Sequence, residues 1–392
     1  MATITYDEIM SSAVVTRAIS QLRGPNMRFQ RFFGCLPGGA NVEQVPGHSF
    51  VYDIFDKTRT LAKGRAPGAG PATSTPQIIG QVSAQIYRSH EKVMLQDERV
   101  FRRRPIGGQW GEVDVAGQRY VTAQEGFIAQ RFSNSREFML SRMFRGGFGL
   151  LRSGDDWILV EKGGGTFDID YQIPAGNLTE LLMVDLNGDT IVPAAFNANF
   201  KVFDTATATM KWSDTANAPI IGQLLQINRC FQIQHGWPLR HIWLNSSTYQ
   251  WVLNNTGLKN AAGSANIVFN EMIMSTADDG KPDGGFDVVF KPLPQFIFHV
   301  YDGVLEVNGS TSATIPDNKA IFCTEPDMSW VSMVEGSELV RENLMADPHE
   351  ESGIYAWTER KTQPGGSELI AVDNVIPALY VPRCVAYANV NF

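Results

Sequence analysis

The residues able to do chemistry are scattered along this chain. Histidines stand at His48, His90, His235, His241, His299 and His349. None belongs to an HExxH pattern or has a Cys or carboxylate at ligand spacing, so each reads as a surface or core imidazole rather than a ligand or base. Gly163-Gly164-Gly165 leads into Thr166-Phe167-Asp168-Ile169-Asp170, which is strand-like. A phosphate loop would need a helix there, with Lys-Ser/Thr placed to reach phosphate and metal, so a turn is expected. In Asp185-Leu186-Asn187-Gly188-Asp189 the glycine comes too early for a calcium loop and no Glu closes the site, whereas Asn-Gly between Leu182-Met183-Val184 and Ile191-Val192 is a hairpin signal. Asp278, Asp279 and Asp283 belong to a solvated turn running to Gly285. There is no GxSxG elbow, and no spacing pairs two carboxylates for acid–base work. The expectation is a chain with no catalytic, cofactor or metal residues, and not an enzyme. Cys35, Cys230, Cys323 and Cys384 lie far apart, which fits free buried thiols rather than a disulfide framework or a zinc site.

Two basic groups remain. Arg59, Lys63 and Arg65 lie in a Gly/Pro/Ala/Thr-rich stretch, Thr58–Pro76, and Lys57 immediately precedes it. Arg99, Arg102, Arg103 and Arg104 are closed by Pro105. The second group admits three readings: a solvated face, intersubunit ion pairs with an acidic segment such as Glu335–Asp347, or contact with packaged nucleic acid. With a net charge of −8 the protein does not coat nucleic acid generally, although local clusters can meet phosphate.

These residues need elements to hold them. Ser49–Asp56 alternates Phe50, Tyr52 and Ile54 on one side, and Gln81–Ile86 alternates polar and apolar residues. Together they read as two β arms around a long basic loop, and loops of that length within a domain are functional or mobile. An isolated two-stranded arm has no core of its own, so its expected cover is another molecule. A helix is expected over Thr122–Arg145, with Ile128, Phe132, Met139 and Met143 on one stripe. Thr122 and Glu125 would form a capping box, Arg142 and Arg145 would sit in the last turn, and Gly146-Gly147 would end it. At 1.5 Å per residue this rod is roughly 36 Å long. Residues 151–212 are strand-patterned. Ile220–Gln234 reads as a helix and His241–Leu244 as a strand, followed by a helix capped at Ser246 or Ser247 and ended by Gly257. Phe286–Phe298, Lys319–Thr324 and residues 376–392 add strands. At 392 residues, with 43% hydrophobic and 19% charged residues, the chain is globular and long enough for two domains. No membrane-length apolar run and no signal peptide is visible, so use in a cytoplasm-like compartment is expected.

This order of elements resembles a tailed-phage major capsid protein with an α+β, HK97-like fold (that of the Hong Kong 97 phage shell), and is most similar to the lambda major head protein group. The resemblance is carried by Pro67–Gln77 running to Tyr87, by Arg136–Gly147 as the end of a spine helix, by Pro316-Asp317-Asn318-Lys319-Ala320 before a strand, and by Asp373–Pro382 as a final peripheral strand. It implies an N-terminal arm over 1–47, an extended β-hairpin loop over 48–90, and a peripheral domain over 91–214 with spine helix 122–145. It also implies a mixed α/β axial domain over 215–375 and a return strand over 376–392. The implied function is self-assembly into hexamers and pentamers of an icosahedral shell enclosing double-stranded DNA. Lys57, Arg59, Lys63 and Arg65 would then contact the neighbouring subunit. Portal, scaffolding and decoration proteins would be partners, with DNA touching the inner face non-specifically and no membrane involved. The virion capsid would be the location, assembled in the host cytoplasm. Alternative readings are a bacterial nanocompartment shell protein and a carbohydrate-active hydrolase.

Overall fold

The computed structural model describes residues 10–21, 27–55, 78–96, 100, 115–174, 177–178, 211–262, 269–276, 282–326, 330–340, 349–361 and 366–391. The chain forms two compact units, one from residues 1–50, 83–137 and 332–377, the other from 51–82, 138–331 and 378–392. Residues 332–375, expected within a 215–375 domain, fall in the first unit, where their long strand pairs with residues 87–96 and 354–361.

That strand, β18 (Gly366–Leu379), is the axis of the first unit and is buried along its whole length. It pairs antiparallel with β17 (Ile354–Lys361) and with β4 (Tyr87–Gln96). β15 (Val331–Val340) lies beside it and carries β1 (Val42–Val45) in parallel and β16 (His349–Ser352) antiparallel. Side chains alternate faces along a strand. Leu369 and Ala371, with Ala356 and Leu95, join a core built with helix α1 (Ser12–Gln21) and helix α3 (Val115–Met143). Ile370 and Val372 face the other way, with Val340, Tyr355 and Trp357. The edge of β17 is covered at Ala356: Thr16 Oγ1 accepts its N–H at 2.9 Å and donates to its C=O at 3.1 Å.

Helix α3 corrects one expectation. It begins at Val115, seven residues before Thr122, so Thr122 is an exposed mid-helix residue and forms no cap, and Glu125 is 4% exposed within the helix. The expected stripe Ile128, Phe132, Met139 and Met143 is fully buried. Helix α2 (Arg28–Phe32) is capped from α3, since Glu137 accepts the Phe29 and Gln30 N–H groups at 2.8 and 3.2 Å. A carboxylate at a helix N-terminus satisfies orphan donors and meets the positive end of the dipole.

The second unit is built on a six-stranded sheet ordered β19 (Val385–Asn389), β14 (Lys319–Cys323), β8 (His241–Leu244), β11 (Ile297–Tyr301), β10 (Pro282–Phe290) and β9 (Phe269–Thr276). Only β8–β11 is parallel. Ile242, Leu244, Val288, Phe298, Val300 and Phe322 pack on helices α4 (Ile220–His235), α5 (Ser246–Asn254) and α6 (Thr256–Ala261). The caps differ from those expected. Asn245, not a serine, caps α5 by accepting the Thr248 N–H, and Asn255 caps α6, so Gly257 lies inside a helix instead of ending one. Strand β10 begins at Pro282, so the turn expected through Gly285 is strand over its last four residues. β5 (Gly147–Ser153) pairs with β6 (Asp156–Glu161) and β7 (Phe167–Asp170). The glycine triplet forms the turn between β6 and β7, as expected. β12 (Val304–Val307) and β13 (Ser310–Ala313) form a hairpin whose Asn308 and Gly309 both take positive φ, the requirement of a type I′ turn. The hairpin expected at Asn187-Gly188 lies outside the described residues.

Candidate functional site

The two arms are strands β2 (Ser49–Phe55) and β3 (Ile78–Gln85), which form a two-stranded sheet. Alternation splits the first arm. Tyr52 and Ile54 are buried, while Val51 and Phe55 are 56% and 40% exposed. Tyr52 meets Tyr380 edge-on at 5.2 Å, and the Phe55 N–H donates to the Tyr380 carbonyl at 2.9 Å. Gln81 Nε2 donates to Asp53 Oδ1 at 3.1 Å across the pair. The base of the ribbon is therefore seated on its own chain. The expectation that it lacked internal cover is corrected at this end, because Tyr52 finds an apolar partner near the far end of the sequence. Residues 56–77 lie outside the described residues, and with them Lys57, Arg59, Lys63 and Arg65. Arg99, Arg102, Arg103 and Arg104 lie outside them as well.

Among the described residues, three groups of buried charged or titratable side chains hold elements in place. In the first unit, Arg136 of α3 is 1% exposed and meets two buried carboxylates. Its guanidinium donates to Asp373 at 2.6 and 2.9 Å and to Glu335 at 2.9 Å. The Asp373 and Glu335 carboxylates raise the Arg136 pKa although burial opposes it. Such a network contributes little net stability against an apolar replacement of all its members, but losing one member strands the others. In the second unit, Arg142 reaches Glu161 Oε1 at 2.6 Å, and Arg145 donates to the Ala313 and Thr314 carbonyls at 3.0 and 2.7 Å. Burial first, and then the neighbouring Arg142, lowers the Arg145 pKa to about 10. These two arginines lock the end of α3 to the β12–β13 hairpin.

The third site escaped the sequence reading. His241 and His299 sit on neighbouring parallel strands, on the face of the sheet opposite the helices. His299 Nδ1 lies 2.6 Å from Asp287 Oδ1, its Nε2 lies 2.8 Å from His241 Nδ1, and His241 Nε2 lies 3.2 Å from Glu325 Oε2. Trp243 stacks on His299 at 4.3 Å. The signal available in the sequence was weak, two histidines in β-patterned runs, because the partners lie 12 to 84 residues apart. Among the described residues no group of three or more His, Cys, Asp or Glu could hold a metal ion. Cys35 and Cys323 are free and buried, Cys384 is buried as well, and burial raises the Cys35 thiol to about 12.

No family model and no curated protein matches the sequence. The backbone does find relatives. A candidate capsid protein of a prophage in E. coli CFT073 is 9% identical, with a TM-score of 0.56 over 99% of both chains. A phage-related protein from Bordetella bronchiseptica RB50 is 10% identical (TM-score 0.49, 100% of this chain and 98% of that one). The capsid of cyanophage P-SCSP1u is 12% identical (TM-score 0.42, 89% and 85%). These two lie too far in geometry to add weight. The chain thus belongs to the α+β class in which a long helix and an extended β ribbon accompany a mixed sheet. Within that class its fold is the HK97-like fold of phage shells.

Proposed function

We propose that this protein is the major capsid subunit of a tailed phage, assembling into hexamers and pentamers of an icosahedral shell around double-stranded DNA. The observation that carries the reading is the backbone match to a prophage capsid candidate over 99% of both chains. The rings would close through heterologous contacts, which suit cyclic symmetry. The six-stranded sheet of the second unit would form the axial body around the capsomer axis, with α3 as the peripheral spine. The basic loop, with Lys57, Arg59, Lys63 and Arg65, would lie across the neighbouring subunit. The Arg99–Arg104 cluster would meet either neighbouring carboxylates or packaged DNA. Portal, scaffolding and decoration proteins complete the implied set of partners, and assembly would take place in the host cytoplasm.

Electron microscopy of the purified full-length protein tests this reading. Icosahedral shells or hexameric capsomers support it, and a discrete monomer in light scattering at high concentration would sink it. The nucleic-acid content of any shells separates a DNA container from a compartment packed with protein cargo.

A further inference from the structure

We propose that Asp287, His299, His241 and Glu325 form a one-proton switch that holds Glu325 against His241 when the proton is bound and releases it when the proton leaves. The argument is a count. The chain of contacts has three links, at 2.6, 2.8 and 3.2 Å. Each link joins two nitrogens, or a nitrogen and a carboxylate oxygen, and needs one proton between them. Two neutral imidazoles carry two N–H groups. With both carboxylates ionised, the third link forms only when one ring is a cation.

The surroundings decide which ring. His299 lies against Asp287, whose carboxylate balances a charge there. Burial first, then His299 and Arg240, push the His241 imidazole down to about 3, so His241 stays neutral and the chain takes one proton, not two. In the bound state His299 donates to Asp287 and to His241 Nδ1, and His241 Nε2–H donates to Glu325. Without the proton a bare ring nitrogen faces a carboxylate at one end. Glu325 is 68% exposed at the longest link and is the member free to retreat.

Other chargeable groups on the neighbouring elements are few. Arg240 Nε stands 3.6 Å from the same Glu325 oxygen. The Cys323 thiol, opposite His241 on β14, is held neutral by burial, and Cys384 lies near it. The Glu325 carbonyl also accepts the Trp330 Nε1–H at 2.9 Å.

Hydrogen exchange read by mass spectrometry on the full-length protein, between pH 5 and 9, tests the switch. After correction for intrinsic rates, the peptide containing Glu325 and Trp330 should exchange roughly tenfold faster above one transition than below it. In Glu325→Gln the transition should vanish, because an amide accepts from N–H or donates to a bare nitrogen. In Asp287→Asn it should move down by about one pH unit or more, since the cation loses its counter-charge. A flat wild-type profile, a Glu325→Gln profile like the wild type, or an unmoved midpoint in Asp287→Asn would each overturn the proposal. None of these outcomes bears on whether the protein builds shells.

Discussion

At the scale of single residues, buried charge governs the outcome. Arg136 separates two buried carboxylates, so Arg136→Met leaves Glu335 and Asp373 facing each other without a cation. The expected loss is about 3–5 kcal/mol in urea unfolding, the cost of breaking a buried network from one side. A loss below about 1 kcal/mol would show that the carboxylates relax into water or protonate cheaply. Glu125 behaves differently. Its carboxyl is buried on the stripe of Val121 and Ala129, and burial raises its pKa to about 7. The folded state then holds a proton that the unfolded chain releases near the ordinary carboxylate value. Stability from this group is complete at acid pH and is lost as pH rises from about 4.5 through about 7. Glu125→Gln should flatten that part of the stability profile, and an unchanged profile would assign the slope to other groups. Neither role was legible beforehand. Arg136 reads as one more polar residue near a helix end, because its partners lie 199 and 237 residues away. Glu125 three residues after Thr122 imitated a capping box whose helix begins elsewhere.

Elements were easier to read, because periodicity is local. The stripe on α3, the helix at Ile220, the strand at His241 and the alternation of the arms all follow from spacing. Caps and ends were harder. Asn245 caps α5 where a neighbouring serine was expected, and Asn255 starts a further helix where an end at Gly257 was expected, because the side chain that reaches the third N–H decides the matter. The end of α3 shows the opposite case, a terminus fixed by sterics. Gly147 has φ +142°, and a Cβ there would stand 2.0 Å from the Ile169 carbonyl oxygen. Gly147→Ala should therefore break the pairing of β5 with β7 and cost at least about 3 kcal/mol, seen as a lowered urea midpoint or insoluble protein. Wild-type stability in that variant would mean that β7 shifts without penalty. Asn308-Gly309 carried as strong a hairpin signal as Asn187-Gly188, and the structure shows the turn there.

At the scale of the whole molecule, the ribbon links the fold to the proposed function. Its base is held by Tyr52, Tyr380 and the Asp53–Gln81 bond, none of which involves the basic loop. Deleting residues 60–74 should therefore leave the subunit folded, by circular dichroism and thermal melting, while abolishing shells in the microscope. Normal shells from that variant would remove the loop from the assembly contacts. If the loop lysines and arginines act through ion pairs, assembly of the intact protein should also weaken as salt rises, because exposed pairs are screened over about 10 Å at 0.1 M. By itself the sequence determined the globular class, the succession of arms, long helix and α/β body, and the faces that alternate in and out, since each of these is set by residues within a turn or a strand of one another. Only the tertiary structure decided that residues 332–375 leave the α/β body, that Arg136 meets Glu335 and Asp373, and that His241 and His299, read singly as surface or core imidazoles, meet each other between Asp287 and Glu325. Those pairings depend on strand order and on which buried charges find partners, and the free energy of burying a charge is fixed by groups brought close in space from distant parts of the chain.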